Sequence, residues 1–361
     1  MTSVLMVSGS WPPQVCGVGD YTEKLCCELE SRAISVIRFA SSRLPQPLSL
    51  QIVNKVGKID CDVVHIQYPT AGYGRSLTPS VLASSIRNRP VIVTLHEYSS
   101  FRWYRRAWFW PFARHCAARI FTTDHERSLF GRRFFTRNGR DLTVEIASNI
   151  PVSPAVARQS GRVAYFGLIA PNKGIEAFLD LCEIARAAGS DLTFEIIGAI
   201  PARYRRYADA IWQRAAMCGA LTALDLSDDV VARRLAGSTF AYLPFPDGAS
   251  AKRGSLAAAI VNGVIVVTRH SQITPDWVRS ATAEANTPFD AFRVITRMNN
   301  ERQPRSEIAK NVAMAAMRFN WSAIASRHTD LYRQVLSGEA GGDVVSADIV
   351  PPADYESRLA S

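Results

Sequence analysis

The sequence predicts an α/β protein made of two doubly wound, Rossmann-like domains with a cleft between them. Short apolar segments alternate with helix-like segments in both halves of the chain, which is typical of parallel sheets covered by helices on both faces. A proline-containing break, Ile150-Pro-Val-Ser-Pro154, separates the two stretches. A chain of 361 residues is also longer than one hydrophobic core usually supports. Ligands of such folds bind at the carboxyl ends of the strands, so we expect the functional residues there.

The first half, residues 1–150, is expected to form one domain. Its strands are predicted at 4–8, 35–39, 63–67, 91–95, 120–123 and 143–146. A helix is predicted at 21–31, with Asp20 as its N-cap. Before it, Gly17 and Gly19 would let the backbone approach a phosphate closely, although a flexible turn explains them equally well. Their spacing is not that of a nicotinamide-binding loop, because Thr22 occupies the third glycine position.

The second half, residues 151–319, repeats the alternation as a second domain. Its strands are predicted at 163–166, 193–197, 220–223, 240–243 and 264–268, and its helices near 175–188, 203–217, 228–236 and 254–262. One more helix is expected within 320–336. The polar tail at 337–361 is expected to be disordered.

The composition limits the classes of function. The hydrophobic fraction of 47% and the charged fraction of 20% are those of an ordinary globular protein. Lys and Arg exceed Asp and Glu by 42 to 32, which favours an anionic partner such as a nucleotide, an acidic glycan or a phospholipid surface. Seven scattered cysteines without a C-x-x-C pair indicate neither a zinc site nor a disulfide framework, and they suggest a cytosolic location. Neither a signal peptide nor a run of roughly 20 apolar residues, as a membrane span requires, is recognisable.

Polar side chains end two neighbouring strands of the first domain. His96 follows the strand at 91–95, and His65 and Gln67 end the strand before it. A parallel sheet presents such positions to its ligand, so His96 is a candidate catalytic residue, with His65 and Gln67 lining the same crevice. A purely structural histidine is an equally good interpretation.

The turn around Lys173 is the first candidate anion site of the second domain. Gly167 is predicted to end an apolar strand, and Lys173-Gly174 precedes the next helix. The first N–H groups of a helix lack partners within the helix, and Lys173 would add a cation, so this turn could hold a diphosphate. An ordinary strand-to-helix turn with a solvated lysine is the alternative.

A loop at 245–255 is the second candidate anion site. It is rich in glycine and serine, and it leads into an apolar helix. The donors would be the side chains of Lys252 and Arg253 and the N–H groups of Gly254 and Ser255. A surface loop with solvated charges is the alternative.

Together these motifs resemble the retaining GT-B glycosyltransferases of family 4. The spacing Gly167-x5-Lys173-Gly174, followed by a glycine-rich loop and a helix that ends at Gly263, is similar to the C-terminal half of that family. Three further segments look like its N-terminal glycine-rich loop, its central histidine strand and the segment before its interdomain linker: Trp11-Pro-Pro-Gln-Val-Cys-Gly-Val-Gly19, Thr94-Leu-His96 and Ala147-Ser-Asn149. The pattern Asn320-Trp321-x10-Tyr332 looks like the helix that in GT-B proteins crosses back to the first domain.

The sequence departs from this family at three positions. The arginine that usually follows the glycine of Gly-x5-Lys is Leu168 here, and the two glutamates of the family are replaced by Ser250 and Ala258. In the family these glutamates contact the donor sugar and the ribose. We expect Asp247 to stand in near the first of them. Lys252 and Arg253 would supply the charge that Leu168 cannot.

The resemblance implies a metal-independent enzyme without a cofactor that moves a sugar, with retention, from a nucleotide-diphosphate donor to a glycan or lipid-linked saccharide. The implied catalytic residues are His96, Lys173 and Arg253. The implied nucleotide-sugar contacts are Gly17, Gly19, Gly167, Lys173, Asp247, Lys252, Arg253, Gly254 and Ser255. Because the paired glutamates are absent, a catalytically silent GT-B scaffold stays an alternative, as does a nucleotide-sugar epimerase or hydrolase. The D-x-D sequence Asp60-Cys-Asp62 precedes its strand, so we interpret it as a surface turn rather than a metal site.

Residues 101–114 interleave aromatic side chains with arginines. This pattern suits an anionic membrane interface, and it would place the enzyme at the inner face of the cytoplasmic membrane. A helix that buries one aromatic face is the alternative, with Pro111 kinking or ending it. Nucleic acid is the least expected partner, because two ligand-binding α/β domains already account for the chain.

Overall fold

The computed structural model describes residues 1–14, 16–136 and 140–338. The chain divides into two units. One unit comprises Met1–Ile146 and the segment that begins at Trp321, and the other comprises Ala147–Asn320. The sequence placed these boundaries after residues 150 and 319. Most of the tail predicted to be disordered, from 339 onward, lies outside the described residues.

The described part of the first unit contains a six-stranded parallel sheet with the order β2-β1-β3-β4-β5-β6. Its strands are β1 (Ser3–Val7), β2 (Ser35–Phe39), β3 (Val63–Tyr68), β4 (Val91–Leu95), β5 (Ala118–Phe121) and β6 (Leu142–Thr143). The helices between them are α1 (Gly17–Glu30), α2 (Leu50–Lys58), α3 (Thr78–Ser85), α4 (Trp110–His115) and α5 (Asp124–Phe134).

Alternation along the strands sorts the side chains of this sheet between two faces. Val64 and Ile66 of β3 point to the face covered by α2, α3, α4 and α5, where they join one apolar core. His65 and Gln67, one residue out of phase, point to the opposite face. The polar residues of β3 are therefore enclosed by a different helix layer from the apolar ones.

The described part of the second unit has a parallel sheet of the same size, with the order β12-β11-β10-β7-β8-β9. Its strands are β7 (Gln159–Leu168), β8 (Thr193–Ala199), β9 (Leu221–Leu224), β10 (Ser238–Leu243), β11 (Ile265–Thr268) and β12 (Thr282–Glu284). Its helices are α6 (Ile175–Ala187), α7 (Arg205–Met217), α8 (Asp228–Ala236), α9 (Gly254–Val261), α10 (Asp276–Ala281), α11 (Pro288–Asn300) and α12 (Arg302–Arg318). Two apolar cores, one on each face, make this sheet doubly wound.

A last helix, α13 (Trp321–Ser337), belongs to the first unit. It packs against α1 on the face of the sheet that carries His65. Its position there is held by polar contacts as well: Arg327 binds the carboxylate of Glu145 at 3.1 Å, and Arg32 donates to Ser322 Oγ at 2.6 Å.

The prediction of two doubly wound α/β domains is confirmed, two local predictions are wrong, and the elements of one segment were missed. Helix α1 begins at Gly17, not at residue 21, so Asp20 lies within its first turn. Pro111 stands in the first turn of α4, where its missing N–H costs no hydrogen bond, so it starts that helix instead of ending it. The segment 276–318, for which no element was predicted, holds three helices and a strand, and α11 begins with a capping box between Thr287 and Asp290.

None of the described helices combines the length and the apolar character that a membrane span needs.

A buried ion cluster ties two strands and a helix of the second unit together. The carboxylate of Glu195 on β8 is fully buried, and it pairs with both Arg162 on β7 and Arg234 on α8. A buried carboxylate with two cationic partners is stable only while the cluster is complete, because loss of one member leaves charge without compensation.

We predict that Glu195→Gln lowers the free energy of unfolding by about 2–4 kcal/mol, since two arginines then face a neutral side chain. The matched control is Glu183→Gln, which removes an exposed partner of Arg214 and should cost about 0.5 kcal/mol or less. Urea denaturation of both variants measures the difference. Equal losses of unfolding free energy in the two variants would show that the burial of Glu195 does not increase its contribution to stability.

Candidate functional site

A buried polar network lies at the carboxyl end of the first unit's sheet. His96 directly follows β4, and its Nε2 lies 2.8 Å from Oε1 of Gln67. The amide nitrogen of Gln67 lies 3.3 Å from Nε2 of His65, which is 2.8 Å from the hydroxyl of Thr94. Nδ1 of His65 lies 2.7 Å from the hydroxyl of Tyr332 on α13. The network therefore runs from the end of β4 to the last helix.

The donors and acceptors of this network define the tautomers of two histidines. An amide oxygen only accepts, so the His96 ring carries its proton on Nε2 and donates it to Gln67. The amide of Gln67 and the hydroxyl of Thr94 can both donate to Nε2 of His65. His65 then carries its proton on Nδ1 and donates it to Tyr332. His65 is neutral in this arrangement.

Burial supports the neutral state of this cluster. Burial lowers the pKa of His65 well below its usual range, and positive charge on the neighbouring His328 and His96 would lower it further. Burial also lowers the pKa of His328 to about 4, against the opposing effect of its hydrogen bond to the carbonyl of Ile324. The sequence pattern suggested that His65 lines a crevice, but the structure shows it facing α13. The side chains that enclose it, Tyr332 and His328, come from the other end of the chain.

The two glycines proposed to hold a phosphate lie in the first turn of α1, not in a loop before it. A side chain on Gly17 would meet nothing, whereas one on Gly19 would come within 3.0 Å of the Ser10 carbonyl oxygen. Cys16 is the residue before this helix, and its side chain makes no capping hydrogen bond. Burial by itself would raise the pKa of the Cys16 thiol. Hydrogen bonds from the N–H groups of Ala71 and Gly19 and from neighbouring donors outweigh this effect, so the pKa lies below its usual value. The start of α1 therefore favours negative charge, as expected of a helix N-terminus.

In the second unit, Gly167 occupies a different structural position from the predicted one. It does not end its strand but lies inside β7, paired with Gly198 of β8. A Cβ atom on Gly198 would overlap the Gly167 carbonyl oxygen, so these two strands approach closely at this point. The turn itself comes later, between Leu168 and α6.

Lys173 is exposed in this turn, and its backbone is held in place from two sides. The hydroxyl of Tyr165 donates to the Lys173 carbonyl oxygen at 3.1 Å. Gly174 has a φ of 85°, and a Cβ atom there would lie closer than 3.0 Å to the Pro244 carbonyl oxygen. The turn after β7 thus packs directly on the loop after β10. Both candidate anion sites of this unit lie at the carboxyl edge of one sheet.

Arg253 and Asp247 form an ion pair within the loop at 245–255. The Arg253 guanidinium also lies over the ring of Phe245, 4.9 Å from its centroid. Arg253 is the residue before α9, and Gly254 and Ser255 are the first residues of that helix. The structure thereby brings together Asp247, Arg253, Gly254 and Ser255, with Lys252 next to them in the chain. Asp247, expected to replace a glutamate of the family, instead faces the arginine.

Two of the positions where the sequence departs from the family differ in their burial. Ala258 is fully buried in the apolar core beneath α9, where a carboxylate without a partner would be costly. Leu168 is half exposed at the end of β7. Within the described residues, no group of three or more His, Cys, Asp and Glu side chains is arranged to hold a metal ion.

Comparison with solved structures identifies the fold. HepE from Anabaena, solved in complex with UDP and glucose, is similar with a TM-score of 0.62 and 16% identity over 92% of this chain and 100% of that chain. Sucrose-phosphate synthase from Thermosynechococcus elongatus is similar with a TM-score of 0.64 and 14% identity, over 94% of this chain and 100% of that chain. A glycosyltransferase from Rickettsia africae is similar with a TM-score of 0.67 and 10% identity, over 94% of this chain and 99% of that chain. The fold is that of GT-B glycosyltransferases. No protein-family profile and no curated protein matches the sequence.

We predict that Gly174→Ala destabilises the protein by about 2–4 kcal/mol, because the side chain adopts a left-handed backbone and also collides with Pro244. The matched control is Gly189→Ala, where φ is 63° but no atom lies within 4 Å of the new methyl group. That variant should lose only the backbone part, about 1 kcal/mol. Chemical denaturation compares the two. A control that loses as much as Gly174→Ala would exclude the loop contact as the cause.

Acid should destabilise the first unit through its buried histidines. The unfolded chain takes up these protons near pH 6.5, whereas folded His328 resists protonation down to about 4. The free energy of unfolding is therefore not reduced by these histidines above pH 6.5. Below that pH it decreases by up to about 1.4 kcal/mol per pH unit for each histidine. Denaturation between about pH 7 and 4 should show this slope, and His328→Gln should make it shallower. An unchanged slope in the variant would contradict the assignment.

Proposed function

We propose that this chain is a glycosyltransferase that moves a sugar from a nucleoside-diphosphate donor to a glycan or lipid-linked saccharide. The observation that supports it most is the packing of the turn at Gly174 on the loop at Pro244. This contact puts Lys173 and the start of α9 at the same edge of one parallel sheet, where ligands of such sheets bind. The GT-B fold makes sugar transfer the reaction class to test first.

The chemistry needs a site that stabilises a leaving diphosphate. As the glycosidic bond breaks, negative charge grows on the phosphate oxygens. Lys173, Arg253 and the N–H groups of Gly254 and Ser255 would balance that charge, and such preorganised electrostatic stabilisation is usually the largest contribution to catalysis. In this proposal transfer proceeds with retention of configuration and uses neither a metal ion nor a cofactor.

Before it can bind a diphosphate, Arg253 must release the carboxylate of Asp247. Its carboxylate partner, Asp247, has 66% of its side chain exposed. Exposed ion pairs contribute about 1 kcal/mol or less, so a diphosphate can displace Asp247 at small cost. In this view Asp247 keeps Arg253 oriented in the empty site, which differs from the ribose or sugar contact suggested by the resemblance.

His96 is proposed to orient the donor sugar or the acceptor hydroxyl. Its ring is held by Gln67, so its orientation is set before any ligand binds. A contact of residues 101–114 with a membrane would suit a lipid-linked acceptor. An enzyme with this contact would work at the inner face of the cytoplasmic membrane, in the synthesis of a polysaccharide or a related glycan.

A catalytically silent GT-B scaffold is the second candidate, and a specific observation favours it. The two glutamate positions of the family are Ser250 and the fully buried Ala258, so no carboxylate stands where the family holds the donor. A scaffold would bind a partner protein and no nucleotide. An epimerase or hydrolase would instead consume a nucleotide-sugar without any acceptor.

We predict that Lys173→Met and Arg253→Gln each weaken binding of uridine diphosphate about tenfold or more, since each removes a charged contact to phosphate. Uridine diphosphate is the first ligand to test because the HepE structures contain it. Calorimetric titration gives the affinities. The controls are Lys310→Met on α12 and Arg233→Gln in the last turn of α8, which change exposed cations away from the carboxyl edge of the sheet and should have no effect.

The variant Asp247→Asn separates the two roles of that carboxylate. If Asp247 only holds Arg253, the variant should bind uridine diphosphate as tightly as the wild type or more tightly, whereas a ribose contact predicts weaker binding. Turnover of a nucleotide-sugar with a glycan acceptor then supports transfer. Failure of uridine, guanosine, adenosine and thymidine diphosphates to bind at all would favour the scaffold.

A further inference from the structure

Six large apolar side chains are exposed at one edge of the first unit. Between residues 41 and 115, all of the exposed large hydrophobic residues flank the starts of α2, α3 and α4: Leu48, Leu50, Leu77, Trp103, Tyr104 and Trp110. We call this set the apolar rim. Trp103 is 80% exposed and Trp110 55% exposed, which is unusual for tryptophan.

The rim is a single surface rather than a set of scattered residues. The three helices pack side by side over one face of the sheet and share one apolar core. Their N-terminal loops are joined by hydrogen bonds: Leu77 N donates to the Pro47 carbonyl oxygen at 2.8 Å, and Ser80 Oγ donates to the Trp108 carbonyl oxygen at 2.9 Å. Helices that follow parallel strands begin at the carboxyl edge of the sheet. The rim therefore lies at the edge where β4 delivers His96.

The same helix layer carries a strong positive charge. Residues 41–115 contain ten Lys and Arg and only three Asp and Glu. Two of the acids, Asp60 and Asp62, precede β3 and so lie at the opposite edge of the sheet, as do the cations Lys58, Arg87 and Arg89, which stand at or after the ends of α2 and α3. None of the ten cations forms an ion pair with a residue that the structure describes. At the edge that carries the rim, cations thus exceed acids and can attract an anionic surface.

The structure also separates two kinds of residue within 101–114. Phe109 and Phe112 are fully buried in the core. Arg106 donates to the carbonyl oxygens of Phe101 and Ser99, and Arg105 lies over the ring of Phe101. These residues shape the segment. The outward side is left to Trp103, Trp110 and the exposed arginines, including Arg102 and Arg114.

We propose that the apolar rim and its surrounding cations form a docking surface for an anionic phospholipid bilayer. A group of exposed leucines and tryptophans can insert into the hydrocarbon boundary of a bilayer, whereas a nucleic acid would engage only the aromatic rings, on which its bases stack. Lysines and arginines near an anionic leaflet each add about 1 kcal/mol of attraction. The surface extends the contact predicted for residues 101–114 to the starts of α2 and α3. It does not depend on sugar transfer, although it would hold His96 close to a lipid-linked acceptor.

Flotation with vesicles tests this surface without any sugar donor. The full chain should bind vesicles of phosphatidylcholine with about one third phosphatidylglycerol, and bind pure phosphatidylcholine vesicles at least tenfold more weakly. The double variant Trp103→Ser/Trp110→Ser should lower partitioning to the anionic vesicles about tenfold or more, and Leu48→Ser/Leu50→Ser several-fold. Phe289→Ser is the matched control, because Phe289 of the second unit is 56% exposed, like Trp110. It should bind as the wild type does.

The cations are tested separately. Arg102→Gln/Arg114→Gln should weaken binding about tenfold and reduce its sensitivity to salt, whereas the control pair Arg205→Gln/Arg206→Gln on α7 should not. All of these positions are on the surface, so thermal unfolding should be unchanged.

Three results would overturn the proposal. The first is equal binding to both kinds of vesicle or to neither. The second is a control variant that loses as much as the rim variants. The third is a single-stranded RNA or a second copy of the chain that binds to the rim while vesicles do not. Each result can be obtained whether or not the protein transfers sugar, so it leaves the proposed function to its own test.

Discussion

The contact between Gly174 and Pro244 is the constraint on which the candidate nucleotide site depends. A turn with a φ of 85° and no room for a side chain lets the loop after β7 lie directly on the loop after β10. A second close approach, between Gly248 and Ser271, packs the latter loop against the loop after β11. Without these glycines the loops would separate, and Lys173 would lose its fixed relation to the start of α9. The lysine side chain itself is exposed, so the geometry of the site is set by the backbone.

The first unit obeys a different constraint, which is the need to satisfy buried polar groups. His65, Gln67 and Thr94 lie on the inner face of a sheet where an unpaired donor or acceptor is costly. Tyr332 of α13 completes their hydrogen bonds, so the C-terminal helix is part of the environment of His96 although it is more than 200 residues away in sequence. A residue that contacts no ligand can in this way determine how the histidine is presented.

Much of the fold could be predicted because alternation of apolar and helical segments is a local property. The strands at 35–39 and 91–95 have the predicted bounds, although only the second is a run of fully buried residues. The helices of 276–318 were missed because their apolar residues are spread among many charges, and only the packed sheet shows which side is buried. The start of α1 was misplaced because glycines suggest a loop, whereas here they occupy the first helical turn.

The amino-acid sequence by itself determined the two doubly wound sheets and the candidate residues at the strand ends. Apolar periodicity, glycines and cations form local patterns that can be recognised within a few consecutive residues. Only the tertiary structure decided what those residues face. It paired Asp247 with Arg253, turned His65 toward Tyr332, and gathered exposed leucines and tryptophans from around the starts of three helices onto one edge. Each of these partners is remote in sequence or depends on a loop conformation. A pattern along the chain carries no information about such contacts, which are set by how the layers pack.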